Sequence, residues 1–421
     1  MHVMSFMKLT ENGRRLVENF ISLSVLKGFD FIIPLIILPY LVNVLGIAGF
    51  GLVNFSLSLA VFFGAVIQYG FAITATREIA RCREDKQKIS EIFSTTMTLQ
   101  VGLSLLMLAC FSIIVMGLPF FHEYLSLYFA SLVFIIFQSL FPAWFFQGME
   151  KMKFIALLSF FSKLLFFIFL LSFVKQAEDL IWVPLLQGLS ALMILALALY
   201  LIRYKFDVLY ILPSWNALKM GLYSGHFAFI SQFTPNLYNN ATTFILGVFT
   251  SPAVVGYYTA ATRLIDAFIS VGTILSQTFL PYLSRFIQQH FAFQTLMWIV
   301  GAGLALFMFL SADLLVLWMF GETYQKISDY IQWLAVSILL IFVVQAYGTN
   351  FLMLVGKEAI VRNIALYTSV FYLFVALALI PVWGIYGAIF TLVMARATMA
   401  GLNFGYYVRY GRALREGGRV G

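Results

Sequence analysis

Long apolar runs are the feature that most limits what this chain can fold into. A stretch of about 20 apolar residues crosses a bilayer as an α-helix. We count twelve such runs, at residues 17–43, 50–76, 92–117, 124–147, 154–174, 180–202, 221–249, 253–282, 294–319, 328–354, 360–381 and 384–407. Only 10% of the residues are charged, whereas soluble domains carry about 25%. The sequence therefore predicts an all-α polytopic membrane protein with twelve transmembrane helices.

The placement of the basic residues predicts the topology. Of the 26 Lys and Arg residues, only Lys175 and Lys326 fall on the side opposite the N-terminus. Four more lie inside predicted helices, and all the others fall on the side of the N-terminus. Because Lys and Arg accumulate in cytoplasmic loops, we expect both termini in the cytoplasm. The net charge of +8 is then a topology signal and does not predict a nucleic-acid partner.

A polar segment divides the chain into two halves of six helices. Residues 203–219 are the most polar stretch in the middle of the chain, and Pro213 is followed there by the helix-start residue Ser214. QGMEKMKFIAL in the first half resembles VGKEAIVRNIAL in the second. We predict an N-terminal six-helix lobe at 1–205, a cytoplasmic linker at 206–220, a C-terminal six-helix lobe at 221–408 and a basic cytoplasmic tail at 409–421. A pseudo-two-fold axis along the membrane normal would relate the lobes.

Several charges lie at membrane depth, where each costs on the order of 3 kcal/mol. The first helix carries Lys27 and Asp30, and the eighth carries Arg263 and Asp266. Such charges usually face a bundle interior or a water-filled cavity, which makes them candidate functional residues. The alternative is that each is an i,i+3 ion pair that only holds helices together. Two further charges inside helices, Lys163 and Arg396, either face the cavity or extend to the interface.

The cations and a polar helix suggest what enters the cavity. Lysine and arginine bind phosphate oxygens through charge-assisted hydrogen bonds, so a diphosphate fits such a cavity well. The seventh helix is the most polar, and its side chains could contact sugar hydroxyls; we select Gln232, Asn236 and Asn240 for the substrate path. Asp30 and Asp266 are candidates for ion or proton coupling. Pro34 and Pro39 interrupt the hydrogen bonding of the first helix and are predicted to form a hinge.

The sequence lacks the usual marks of an enzyme. Gly356 and Lys357 are followed by Glu358, so no Walker loop is formed. The segments outside the membrane are too short to form a catalytic domain. Cys82 and Cys110 lie far apart without a metal-ligand spacing. We therefore predict no catalytic residue, no cofactor and no bound metal.

Four segments carry a resemblance to a known family: PLIILPYLVNVLGIAGFGLVNFS, YGFAITATREIARCREDKQKISEIFS, FPAWFFQGMEKMKFIALLSFFSKL and ILGVFTSPAVVGYYTAATRLIDAF. They resemble the Wzx-type polysaccharide flippases, also called O-antigen transporters, which share a superfamily with multidrug and toxin extruders and lipid II flippases. The resemblance implies twelve helices in two lobes around a cation-lined central cavity. Lys27 and Arg263 match that pattern by their positions on the first and eighth helices.

The resemblance also implies a function. The expected activity is movement of an undecaprenyl-diphosphate-linked sugar repeat unit from the cytoplasmic to the periplasmic leaflet of the bacterial inner membrane, by alternating access. The lipid bilayer, a polysaccharide polymerase and a chain-length regulator would be partners in O-antigen or lipopolysaccharide biosynthesis. Three alternatives stay open: a cation-coupled multidrug exporter of the same superfamily, an integral-membrane polysaccharide polymerase or ligase, and a membrane scaffold that transports nothing.

Overall fold

The structure is a computed structural model that describes the backbone of residues 11–415 and the side chains of residues 32–226, 229 and 240–410. Across these residues the chain forms helices joined by short turns, with no strand. The helices are α1 (Glu11–Gln68), α2 (Phe71–Arg81), α3 (Lys86–Gly117), α4 (Leu125–Leu140), α5 (Ala143–Gly148), α6 (Met152–Phe173), α7 (Trp182–Tyr204), α8 (Trp215–Phe249), α9 (Pro252–Arg285), α10 (His290–Phe320), α11 (Lys326–Val344), α12 (Glu358–Trp383) and α13 (Ile385–Arg415). A π-helical segment, Gln345–Leu352, directly continues α11.

One glycine divides the first long helical run. Within α1, Gly46 has φ 70° and ψ 163°, which breaks the helical hydrogen bonding. Glycine takes a positive φ readily because it has no Cβ. The nearby Gly49 and Gly51 are helical. One positive-φ residue is enough to separate two membrane helices.

The prediction of an all-helical membrane protein is confirmed. Within the described residues, ten segments are long and apolar enough to cross a membrane. The first of them, Ile32–Arg81, contains the break at Gly46. The helix α8 spans 35 residues, of which Asn240–Phe249 form a shorter apolar segment. If the first segment is counted as two helices divided at Gly46, and α8 is counted as a further crossing, the helices are compatible with the twelve predicted crossings.

Backbone contacts group the chain into two compact units. The middle unit is Val44–Ala253, and the split unit combines Met1–Asn43 with Val254–Gly421. In the split unit, the Tyr324 hydroxyl lies 3.3 Å from the carbonyl oxygen of Val42. The predicted domain boundaries at 205, 220 and 408 follow the order of the chain and stay a prediction.

An aromatic core packs the middle unit. Phe93 of α3 meets Trp144 and Phe145 of α5, with ring centroids 5.9 Å apart in both pairs. Gly148 lets the end of α5 approach α2, because a Cβ there would lie 2.7 Å from Cβ of Ile79. Close packing at small residues is a main source of helix association in membranes, where lipid is as apolar as the side chains.

The linker between α7 and α8 ends at a capped helix. The Ser214 side chain accepts a hydrogen bond from the amide of Ala217, which satisfies one of the first amides of α8. The helix start predicted from Pro213 and Ser214 is thereby confirmed. Lys219 lies inside α8, and residues 205–214 connect α7 to α8.

Small residues also allow close packing in the split unit. Phe342 of α11 is fully buried and lies against Gly272 of α9 and Gly301 of α10. A Cβ added at Gly272 would lie 2.6 Å from the ring of Phe342. A Cβ added at Gly301 would lie 2.9 Å from the Cβ of Phe342. These two glycines bring α9, α10 and α11 close together where the π-helical segment begins.

Candidate functional site

The polar stripe of α9 contains both exposed and buried positions. Its residues follow one line along the helix at spacings of 4, 3, 4 and 7 positions: Thr259, Arg263, Asp266, Ser270 and Gln277. Arg263, Asp266 and Gln277 are exposed, whereas Thr259 and Ser270 are buried. A helix that carries exposed charges along one line of its surface, in an otherwise apolar protein, has a face that lipid alone would not accommodate.

One buried arginine joins three helices of the split unit. Arg396 of α13 is 7% exposed. Its Nη2 donates to Oδ1 of Asp266 on α9 at 3.1 Å, and its Nη1 donates to Oγ of Ser337 on α11 at 2.9 Å. A hydrogen bond between ionised groups is about twice as strong as one between neutral groups. The Asp266 carboxylate therefore has a cationic partner from another helix, in addition to its neighbour Arg263 three residues away in sequence.

Further along α9, two amide side chains bind the same helix. Nε2 of Gln345 donates to Oγ1 of Thr273 at 2.9 Å. Asn350 is fully buried, and its Nδ2 donates to the carbonyl oxygen of Ser276 at 2.9 Å, while the Ser276 hydroxyl donates to Oδ1 of Asn350. Polar side chains from two other elements, α13 and the π-helical segment, thus bind α9 at successive turns.

The two amides belong to the π-helical segment, which widens the helix locally. Such insertions interrupt the regular α-helical pattern and are frequent at functional sites. His290 lies beside it with Nε2 at 2.8 Å from the carbonyl oxygen of Ala346, and Trp298 donates to the Tyr347 hydroxyl at 2.9 Å. Side chains of α10 therefore contact the segment as well.

The remaining predicted site residues are distributed over both units. Lys163 on α6 and Asn240 on α8 are half-buried in the middle unit. Pro34 and Pro39 are half-buried inside α1, which stays helical at both positions. The side chains of Lys27, Asp30, Gln232 and Asn236 lie outside the described residues. Among the predicted residues, the structure brings Asp266 and Arg396 into direct contact.

The sequence interpretation did not select the partners that complete this network: Ser337, Thr273 and Ser276. A signal was present, because Gln345, Asn350 and Arg396 are polar residues inside otherwise apolar helices. Buried polar groups require hydrogen-bond partners. Their presence predicts partners on neighbouring helices, although it does not identify them.

The chemistry available at this site is ionic and hydrogen-bonding. In the part of the chain that the structure describes, no three His, Cys, Asp or Glu side chains lie close enough together to hold a metal ion. Among the described side chains at this site, two arginines lie on the same part of the split unit as one aspartate. Guanidinium groups bind phosphate and carboxylate oxygens in a bidentate manner.

Comparisons with known proteins agree with this description. The family described as "Polysaccharide biosynthesis protein" matches residues 16–287. A protein of Escherichia coli (strain K12) named "Putative O-antigen transporter" is 26% identical over 276 residues, which are 66% of this chain and 66% of that protein. The aligned part is thus just under two thirds of that relative.

Two solved structures share the fold. An inward-facing multidrug resistance MATE family transporter of the MOP superfamily aligns with a TM-score of 0.70 at 15% identity, over 91% of this chain and 96% of that one. The lipid II flippase MurJ, in an inward closed conformation, aligns with a TM-score of 0.71 at 12% identity, over 92% and 87% of the two chains. At these identities the likeness concerns the fold alone.

Proposed function

Because the chain belongs to the polysaccharide biosynthesis protein family, we propose that it transports a lipid-linked oligosaccharide across the bacterial inner membrane. The substrate is an undecaprenyl-diphosphate-linked repeat unit of O-antigen or a similar polysaccharide. It moves from the cytoplasmic to the periplasmic leaflet by alternating access through a cationic central cavity. Both termini lie in the cytoplasm, and a polysaccharide polymerase and a chain-length regulator receive the product.

The charge balance on α9 carries this proposal. Arg396 already binds the Asp266 carboxylate, and Arg263 lies exposed one turn away. The three side chains together keep a net positive charge, which suits an anionic diphosphate. Lys27 is a further candidate cation of the substrate path and Lys163 a possible further cavity charge, and the amides Gln232, Asn236 and Asn240 are the candidates for contact with the sugars.

A cation-coupled multidrug exporter is the second candidate, and the MATE fold favours it. Cationic drugs require acidic groups in the cavity, whereas the described charges on α9 and α13 are more basic than acidic. A polymerase or ligase fits less well, because such an enzyme requires a long periplasmic loop. The connection between α10 and α11 is only the short segment around Glu322–Tyr324. The cycle is driven by an ion gradient or the membrane potential, with Asp30 or Asp266 as the coupling group.

The two leading candidates differ in what happens when cavity cations are removed. Lys27→Ala and Arg263→Ala, made separately, should reduce surface polysaccharide and cause lipid-linked repeat units to accumulate, at unchanged membrane levels of the protein. Lys175→Ala, at an exposed position between α6 and α7, is the matched control and should behave as wild type. Normal polymer in both cavity variants would remove these cations from the mechanism. Drug hypersensitivity of a deletion strain with normal polymer would favour the exporter.

A further inference from the structure

A groove on the middle unit has features of a lipid site and lies apart from the polar network of α9. It has a volume of about 410 Å³ and runs between α3 and α7. Its wall is apolar along most of its length, with Met97 and Val101 on α3 and Leu199 and Ile202 on α7. Thr98, Arg203 and Tyr210 supply polar groups. The groove is therefore apolar with a polar and cationic rim.

The linker forms one side of the groove and is fastened to α3. The amides of Leu209 and Ile211 donate to Oγ of Ser90 at 3.1 Å and to Oγ of Ser94 at 2.8 Å. The hydroxyls of Tyr210 and Thr98 lie 2.7 Å apart. Ser90, Ser94 and Thr98 are spaced by four residues, so they form one line along the helix. This line holds the extended linker in register, with Tyr210 at the rim.

Positive charge exceeds negative charge at the rim. Lys86 donates from Nζ to Oδ2 of Asp207 at 2.9 Å, and Arg203 lies 3.7 Å from the other oxygen of the same carboxylate. The hydrogen bond from Lys86 and its charge, with that of Arg203, hold the pKa of Asp207 below its usual range. Lys205 lies over the Phe154 ring at 4.8 Å. The Asp207 carboxylate is thus paired with two cations, Lys86 and Arg203, and Lys205 is a third cation of the same linker region.

We propose that this groove binds an anionic phospholipid, with one acyl chain between α3 and α7 and the phosphate against Arg203. From Phe93 to Val101, α3 advances about 12 Å at 1.5 Å per residue, which gives an acyl chain a continuous apolar wall. Arginine binds phosphate oxygens through charge-assisted hydrogen bonds. Basic pockets beside membrane helices are typical sites for anionic head groups. The cationic excess favours a net negative lipid over a zwitterionic one.

A second groove provides a comparison within the same protein. It lies in the split unit between α10 and α11, has a volume of about 650 Å³ and is lined by side chains such as Leu306, Phe309, Gln332 and Trp333. Among the described residues, those that line this groove include no lysine or arginine. Lipid chains should occupy this groove without selection for the head group. Comparing the head-group selectivity of the two grooves therefore tests what the cations contribute to lipid binding.

Site-resolved photolabelling tests the proposal. The full-length protein is placed in lipid nanodiscs with trace phosphatidylglycerol or phosphatidylcholine that carries a photoactivatable group on its acyl chain, and labelled peptides are quantified by mass spectrometry. Phosphatidylglycerol should label the α3–α7 groove at least threefold more than phosphatidylcholine. Both lipids should label the α10–α11 groove equally. Arg203→Gln should abolish the preference, while Arg285→Gln, at the exposed end of α9, should keep it.

Other outcomes would overturn the proposal. Equal labelling of the α3–α7 groove by the two phospholipids in the wild-type protein would remove the anionic selectivity. Displacement of the phosphatidylglycerol label by an undecaprenyl diphosphate at lower concentration would show that the groove holds the tail of a polyprenyl lipid. Val101→Trp, at an exposed position that narrows the groove, should reduce labelling by both lipids; unchanged labelling would place the chain elsewhere. The wild-type comparison decides even if Arg203→Gln fails to fold.

Discussion

Arg396 donates from Nη2 to Oδ1 of Asp266 across 3.1 Å, and this pair joins α13 to α9 inside an apolar protein. The two partners differ in environment, since the side chain of Arg396 is 8% exposed and that of Asp266 is 58% exposed. Loss of the carboxylate therefore leaves a buried cation without its counter-ion. Loss of the arginine leaves an anion that is open to its surroundings.

This asymmetry predicts unequal costs for the two single substitutions. Asp266→Asn should lower the free energy of unfolding by about 2 kcal/mol, because it leaves the buried Arg396 guanidinium without its counter-ion, while the exposure of the carboxylate reduces the cost below that of a fully buried pair. Arg396→Met should cost less, and the double variant should be more stable than the sum of the single effects predicts, with a coupling of about 1 kcal/mol or more. Asp313→Asn is the control, because Asp313 is exposed and its hydrogen-bond partner is the neutral Gln325. Denaturation in detergent measures all four; strict additivity would contradict the pairing.

The close packing at Gly272 gives a second prediction. A Cβ at this position would lie 2.6 Å from the ring of Phe342, which is fully buried and cannot move away easily. Gly272→Ala should therefore destabilise the protein by about 2 kcal/mol through overpacking. Gly303→Ala, where nothing lies within 4 Å of the new Cβ, should be neutral or gain up to about 1 kcal/mol in helix propensity. Equal thermal stability of the two variants would show that α9 and α11 do not pack as described.

The linker contact with α3 predicts a local effect. Ser94→Ala removes the acceptor of the Ile211 amide, so amide exchange in residues 205–214 should become at least severalfold faster while exchange elsewhere is unchanged. Ser104→Ala is the matched control, since Ser104 is also buried on α3 and binds the carbonyl oxygen of Gln100. Hydrogen–deuterium exchange with mass spectrometry measures the difference. Linker exchange that stays at the wild-type rate in Ser94→Ala would refute the anchoring role.

The prolines of α1 test the proposed hinge. Each removes a backbone donor from the helix interior and frees the carbonyl oxygen four residues earlier. Replacement of Pro34 and Pro39 by alanine together should leave the amount of protein in the membrane unchanged and slow export of the repeat unit severalfold. Pro381→Ala, at a proline inside α12, controls for a general stiffening of helices. Export at the wild-type rate in the double variant would exclude a hinge at these prolines.

Local sequence signals predicted most of the helices. The length of the apolar runs located the membrane segments. The helix cap at Ser214 and the helix break at Gly46 each depend on one local residue, a serine that accepts an amide hydrogen bond and a glycine that takes a positive φ. The resemblance to Wzx-type flippases is confirmed by the family match and by the likeness to the O-antigen transporter and the lipid II flippase. The helix cap and the helix break depend on a few neighbouring residues, and the family resemblance depends on the spacing of motifs along the whole chain.

The contacts of the site could not be predicted in the same way. Arg396 and Asp266 are 130 residues apart, and their contact depends on how α13 and α9 are rotated against each other, which apolar periodicity does not fix. The π-helical segment, Gln345–Leu352, differs from an α-helix by one inserted residue, to which hydropathy is insensitive. The sequence therefore indicated which polar residues matter and left their partners undetermined.

Transbilayer movement of the substrate by the purified protein tests the central claim most directly. The protein is reconstituted in vesicles that contain a fluorescent undecaprenyl-diphosphate sugar in both leaflets, and an impermeant reductant destroys the fluorophore in the outer leaflet. The fluorophore in the inner leaflet is protected from the reductant. With wild-type protein and an imposed ion gradient, this protected fluorescence should be lost within minutes, whereas with Arg263→Ala it should remain. The proposed function would be contradicted if wild-type protein left the protected fluorescence unchanged in vesicles in which the same protein moves a cationic dye.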